Sequence, residues 1–352
     1  MSMRAPVLLA RRRLLRAGLW LPLLALAPRI ATAAPVELRR FGARGDGDHD
    51  DTLAFQHAVD ATPAGGVLDV PAGSYVIDPV RSVRLHGHMH LRLARGARLV
   101  AKPNAAPRGY VLTVERASDV RISGGSIVGE RHAHLGRGGE WGHGIMVRGA
   151  SRVSISDMRI SDCWGDGISI GASPVRHGRA LPSSDIEIIG VTCTGNRRQG
   201  LTIGRSRRVR VRDCEFSNTG GTAPQAGIDI EPDAGDVARD VRIERCVVRG
   251  NRGPGIQVWK RTVDIAIVDC TIEDNRNAGV LVVGASGLGI AGNRIAGNGV
   301  AGVAVRSGSS RVRVSGNRFA SNGRGWKFGM ARHVQVATGA GVQIARDNRI
   351  TD

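Results

Sequence analysis

Hydrophobic and polar residues alternate in short bursts along most of this 352-residue chain. Val67-Leu68-Asp69-Val70, Tyr75-Val76-Ile77, Val83-Arg84-Leu85 and Leu91-Arg92-Leu93 read as short strands, because successive strand side chains point to opposite faces. From about residue 110 the bursts become periodic. One strand recurs with starts at Val120, Val153, Ile186, Val209, Val241, Ile265, Leu288 and Val312, in steps of 33, 33, 23, 32, 24, 23 and 24 residues. A base period of 23–24 with insertions is the signature of a solenoid. No helical period runs through it, so leucine-rich and helical arrays are excluded.

A second strand opens with Gly, aliphatic, any residue, aliphatic, at Gly144, Gly167, Gly200, Gly227, Gly255, Gly279 and Gly302. Asn196, Asn251, Asn275, Asn298 and Asn322 fall ten residues after their first-strand starts, and Asn218 falls nine after. This register predicts stacked Asn amides bridging successive coils. Cys214, Cys246 and Cys270 share another register, five after the start, and read as a buried stack of small side chains. The long steps place extra residues at 131–140, 172–181 and 219–226. Loops on a rigid stack are where sites are built, and these three would wall one groove. After Asn322 the pattern decays, and Trp326, Phe328 and Gly341-Val342-Gln343-Ile344 are expected to close the C-terminal end of the core.

Composition supports strands and turns over helices, with 49 Gly and 3% aromatic residues. Residues 1–34 read as a removable signal peptide. Arg11-Arg12-Arg13 precedes an apolar run from Ala17 to Ala27, and Ala31-Thr32-Ala33 offers a cleavage site. The arginines resemble a twin-arginine export signal, with an ordinary Sec signal as the alternative. Residues 35–352 are expected to form one domain, exported to the periplasm or the extracellular space, monomeric, and without stable membrane insertion. Loss of six arginines with the signal would take the net charge from +19 to about +13. A basic exported protein points to an acidic polysaccharide as partner. Nucleic acid is not expected, since no recognition helix or stacking motif is present.

Phe41-Gly42-Ala43-Arg44-Gly45-Asp46-Gly47-Asp48-His49-Asp50-Asp51-Thr52 leads into a segment at about 51–61 with an amphipathic pattern, in which Leu53, Phe55, Ala58 and Val59 form the stripe and Asp50 or Asp51 the N-cap. This opening resembles the N-terminus of the pectate lyase superfamily. The resemblance implies an all-β protein: a single-stranded right-handed parallel β-helix whose short N-terminal helix caps the open core.

Function is sought where the repeat departs from its own pattern. Only the Gly227 copy carries acids on its second face, Asp229 and Glu231, with Asp233 just beyond. Aligned signatures put Asp229 between Thr202 and Gln257, and Glu231 between Gly204 and Trp259. His143, Asp166 and Gln199 precede their signature glycines, Arg198 precedes Gln199, and Lys260 and Arg261 follow Trp259. Asp229, Glu231, Asp166, Lys260, Arg261, Arg198 and His143 are the candidate catalytic residues. Trp259, Gln257, Gln199, Trp164 and Trp141 are the candidate sugar contacts. Asp229, Glu231 and Asp233 are also candidate Ca²⁺ ligands.

These residues fit β-elimination at a uronate, which needs a cation on the carboxylate and a base for the proton beside it. An epimerase needs a second proton donor in addition. Hydrolysis needs two carboxylates flanking the bond; two residues along a strand separate Asp229 and Glu231 by roughly 6.6 Å, between the retaining and inverting ranges. Polygalacturonase-type hydrolases carry Asn-Thr-Asp, Asp-Asp and Gly-His-Gly. Here Asp166 stands alone, Gly142-His143-Gly144 precedes it, and Asn-Thr-Asp is absent. The Asp-Pro-His-Asp motif of alginate epimerases is absent too. Lyase action is the leading expectation, with hydrolysis and a non-catalytic carbohydrate-binding or structural role as alternatives.

Overall fold

A computed structural model describes residues 34–175, 180–323 and 333–351. Residues 1–33 of the expected signal peptide, Trp326 and Phe328 lie outside the described residues, as does part of the insertion at 172–181.

Each coil contributes one short strand to each of three parallel sheets of twelve, twelve and ten strands. Strands pair only with equivalents one coil away, as in Val209↔Val241↔Ile265↔Leu288. The inward residues Ile145, Ile168, Leu201, Ile228, Ile256, Val280 and Val303 stack from coil to coil and are fully buried. This is the parallel β-helix expected from the repeat.

The signature glycines have a steric cause. A Cβ on Gly144, Gly167, Gly200, Gly227, Gly255 or Gly279 would lie 2.6–2.8 Å from the carbonyl oxygen of the next coil's signature glycine. Coils stacked at about 4.8 Å leave no room for it.

The predicted helix is Thr52–Ala61. Phe55, Ala58 and Val59 are buried on the core end, and Phe55 meets Tyr75 edge-on at 6.3 Å. Two details differ from expectation. Leu53 is 56% exposed and lies off the stripe. Asp51 occupies the N-cap position but does not cap; its carboxylate accepts the amides of Arg44 and Gly45 at 2.8 and 3.0 Å, closing the glycine-rich opening against the helix.

The Asn register forms a ladder. Asn251 donates to Asn275, Asn275 to Asn298 and Asn298 to Asn322, at 2.8–2.9 Å. Asn218 stands outside it, exposed and in a left-handed conformation, because its one-residue offset moves Thr219 into the register, where the Thr219 amide donates to Asn251. A second ladder, Asn293 to Asn317 to Asn348, continues the buried column begun by Cys214, Cys246 and Cys270. The Cys270 amide donates to Asn293, so cysteine and asparagine share one structural position. At the far end Val342–Ile344 is the last strand of its sheet, with Val342 packed on the core and Ile344 49% exposed. No helix among the described residues is long and apolar enough to cross a membrane.

Candidate active site

The outward faces of five successive coils, with their loops, enclose a groove of about 450 Å³. Asp229 pairs in register with Thr202 on one side and Gln257 on the other, as the aligned signatures predict. The insertions do not wall the groove as expected, since each of the first two gives it one described lining residue, Glu140 and Ala172, and 219–226 gives none. The first is pinned down instead: the His134 ring stacks on Trp164 at 3.9 Å, Arg131 donates to the Gly195 carbonyl at 2.5 Å, and the Leu135 amide donates to the Asn104 carbonyl at 2.9 Å. The insertion at 219–226 is tied to the preceding coil through the Gly220 and Thr222 amides.

Asp229 points out of the core yet is fully buried, because Gln199 and Gln257 flank it. One carboxylate oxygen accepts the Gln257 amide at 3.0 Å, and the other accepts the Gln199 amide. Burial raises the Asp229 carboxyl well above the ordinary range, and the nearby charge of Glu231 acts in the same direction. Arg198 and Gln257 oppose the rise. Desolvation and a second carboxyl in the same groove thus both favour the neutral form of Asp229.

Asp166, also fully buried, accepts the Thr202 hydroxyl at 2.7 Å and the Arg198 guanidinium at 3.3 and 3.4 Å. Arg198 donates to Gln199 at 2.7 Å and lies 3.4 Å from Glu140. Burial disfavours its charge, but Asp166, Glu140 and Asp229 outweigh that and hold it firmly protonated. His143 is stacked on Tyr110, and its Nδ1 accepts the Asp166 amide at 3.0 Å, which leaves the ring proton on Nε2. Burial lowers the His143 pKa to about 4 despite nearby Asp166, and Arg148, Arg198 and Arg108 add to the fall. The 3.4 Å approach of Nδ1 to the Asp166 carboxylate is thus not an ion pair at neutral pH.

Asp229, Glu231, Asp166, Asp233, Arg198, His143, Arg261 and Trp141 all line this groove. Trp141 is 40% exposed with the Arg108 guanidinium 4.9 Å over its ring. Other candidates are placed differently. Trp164 is covered by His134 and by Arg197 at 3.7 Å, because the first insertion folds back over it. It is therefore not a sugar platform. Gln199 and Gln257 spend their amides on Asp229 and position that carboxyl. Trp259 and the exposed Lys260 are not lining residues. Arg261 donates to the Pro232 and Asp233 carbonyls at 2.6 and 3.1 Å, clamping the segment after the acidic strand, so it is no free base. Arg198 cannot serve as base either, since Asp166 keeps it charged. Among the described residues no group of three or more His, Cys, Asp or Glu side chains is arranged to hold a metal, and both Asp229 oxygens already accept amide protons. The donor set does not fit Ca²⁺.

Sequence reasoning missed Arg148, Arg205, Glu140 and Ser169 as lining residues. Arg148 had a readable signal, since it occupies the position of the Gly144 copy that Glu231 occupies in the Gly227 copy.

The relatives fit this architecture. Residues 36–87 match a family described as rhamnogalacturonase A/epimerase, pectate lyase-like. The uncharacterized protein YclG of Bacillus subtilis (strain 168) is 30% identical over 215 residues, 54% of this chain and 37% of that protein. The chain spans less than half the length of the curated relatives it matches. Among solved structures, ORF18 of Geobacillus virus E2 superposes with a TM-score of 0.73 at 18% identity, covering 90% of this chain and 61% of that one. The A-module of the mannuronan C-5 epimerase AlgE4 of Azotobacter vinelandii superposes with a TM-score of 0.70 at 18% identity, covering 89% and 95%. At such identities the likeness is one of fold. The right-handed beta helix region matches residues 107–235 and 223–352, most of the chain, and the protein belongs to that family.

Proposed function

We propose that this protein is an exported enzyme that cleaves a uronate-containing polysaccharide by β-elimination. The observation that carries the reading is the groove that Asp229 and Glu231 line together with four arginines, in which burial pushes the Asp229 carboxyl well above the ordinary range. Positive charge on a uronate carboxylate acidifies the neighbouring C5–H. Glu231, as carboxylate, takes that proton. The C5 electron pair forms the C4–C5 double bond as the C4–O bond breaks, and Asp229 delivers its proton to the departing oxygen. The two carboxyls carry one proton before the step and one after it, and exchange with water entering the emptied groove returns that proton from Glu231 to Asp229. His143, neutral with Nε2–H, adds a hydrogen-bond donor to the groove lining.

The pectate lyase-like match at the N-terminus and the fold shared with a mannuronan epimerase support a uronate polymer as substrate.

The test is a panel of acidic polysaccharides assayed for unsaturated-uronate absorbance and for reducing ends, with added Ca²⁺ or with chelator. Both signals should rise for the wild type in either condition and vanish for Glu231→Gln. Reducing ends without absorbance would replace elimination by hydrolysis. An altered uronate epimer ratio without cleavage would replace it by epimerisation. Binding without turnover would leave a carbohydrate-binding protein.

A further inference from the structure

Arg148 differs from the other arginines of the groove. Arg198 is ion-paired with Asp166, and Arg205 with Asp236 at 3.0 Å. Arg261 is exposed and clamps backbone carbonyls. Arg148 is half-buried and forms no ion pair with a described carboxylate. Its guanidinium donates to the Ser169 carbonyl at 2.8 Å, the Ser169 hydroxyl at 2.9 Å and its own Val147 carbonyl at 3.1 Å. Neutral acceptors thus fix its direction, and its charge is balanced only from a distance, by Asp166, Asp233 and Glu115. A guanidinium held this way is preorganised to take a carboxylate, often through two parallel hydrogen bonds.

The coil register shows what faces it. Arg148 pairs with Gly171, and a Cβ on Gly171 would lie 3.4 Å from the Arg148 Nη1. Gly204 follows, its amide donating to Ile170 and its Cβ position 3.5 Å from the Gly171 Cα. Glu231 comes next, its amide donating to Ile203. One outward column therefore reads Arg148, Gly171, Gly204, Glu231. The Arg148 guanidinium reaches over Gly171 to the Ser169 rung, so Gly204 alone separates it from Glu231. Rungs of a parallel sheet lie about 4.8 Å apart, so two rungs leave roughly 10 Å between the cation and the carboxyl, wide enough for one sugar ring. Gly171 and Gly204 both line the groove.

We propose that this column is a subsite for a single uronate residue. The ring lies on Gly204, its carboxylate is received by Arg148, and its C5–H and glycosidic oxygen are turned toward Glu231 and Asp229. The assignment rests on the functional reading above and deepens it by naming the specificity determinant. Arg148 selects the acidic sugar by touching its carboxylate, and Gly204 admits the ring.

The test measures calorimetric binding of saturated trigalacturonide and trimannuronide, and of the same oligomers carboxyl-reduced to neutral sugars, in a Glu231→Gln background that prevents turnover. Arg148→Gln should weaken binding of one or both uronides by ~10- to 100-fold and leave the affinity for the reduced oligomers unchanged. Gly204→Leu fills the floor without touching the cation, and should abolish uronide binding while circular dichroism and the melting temperature stay near the parent's. Unchanged uronide affinity in Arg148→Gln, or equal loss for acidic and neutral oligomers, would overturn the assignment. If Arg148→Gln fails to fold, Gly204→Leu decides, and uronide affinity retained there would overturn it. Turnover of a uronate polymer by Arg148→Gln at the wild-type KM would sink the subsite and leave the functional reading standing. A wild type that neither binds nor converts any uronide would end both.

Discussion

Two stacks of buried polar side chains run along this solenoid, and they are built on opposite principles. In the ladder from Asn251 to Asn322 each amide donates forward to the next coil and to a backbone carbonyl behind it. Interior members have donors and acceptors matched within the ladder, and every group is neutral. Such a stack does nothing but hold coils in register. In the groove, Asp229 and His143 are as deeply set and Arg198 is partly buried, but all three are titratable, and burial and neighbouring charges push their ionisation away from ordinary values. The same repeat that makes the first stack stable makes the second reactive. It supplies fixed positions every 4.8 Å or so, and the identity of the side chain at each position decides whether the stack is closed or poised.

The largest effect that would sharpen this contrast is catalytic. Glu231→Gln and Asp229→Asn should each lower turnover on the responsive polymer by about 10³-fold, the usual range for losing a proton-transfer group, with melting temperatures within a few degrees of wild type. A retained rate would erase the distinction between the stacks. Asn275→Ala should do the reverse. It removes bonds to Asn251, Val248 and Asn298 and leaves buried groups without partners. A loss of about 4 kcal/mol in urea unfolding is expected, at wild-type kcat and KM.

Next in size is a pH effect. The His143 value of about 4 lies below the usual 6.5, so as pH falls the unfolded chain takes up this proton before the folded one. Stability linked to His143 is complete above about pH 6.5 and is lost between 6.5 and 4, amounting to about 3 kcal/mol. Asp229, raised above its ordinary value, acts with the opposite sign: its contribution is complete at low pH and declines as pH rises. Unfolding of wild type and His143→Gln at pH 7 and pH 4.5 should show the wild type losing more. Smallest is the surface pair Arg152–Asp119, at 2.6 Å but solvent-exposed. Arg152→Ala should leave the melting temperature unchanged at physiological salt, since screening and side-chain entropy cancel such pairs.

The repeat made much of the fold legible, because a solenoid's contacts follow one offset. The 23–24 residue period set the sheets, the signature glycines marked close coil contact, and the Asn register foretold the ladder. Asn218 shows the precision involved, since a shift of one residue turned it outward. The second ladder was also readable, yet Asn293 and Asn317 follow cysteines in that column, and a change of residue type hid the continuity. At the site, alignment placed Asp229 and Glu231 correctly relative to their neighbours. What it did not show was set by loops. Trp164 is covered only because residues 131–140 fold back over it, and Arg261 is spent on carbonyls only because residues 232–233 bend to meet it. The flanking glutamines looked like sugar contacts, because sequence shows adjacency but not which atoms a buried carboxyl will claim.

The central claim is that the groove holds the Asp229 carboxyl well above the ordinary carboxylate range while the Asn ladders bury only neutral amides. Carboxyl-carbon NMR of wild type and Asp229→Asn across pH 3 to 9 tests it directly. The account predicts a carboxyl step well above the ordinary range in the wild type that is absent from Asp229→Asn. An Asp229 that titrates in the ordinary carboxylate range would contradict it.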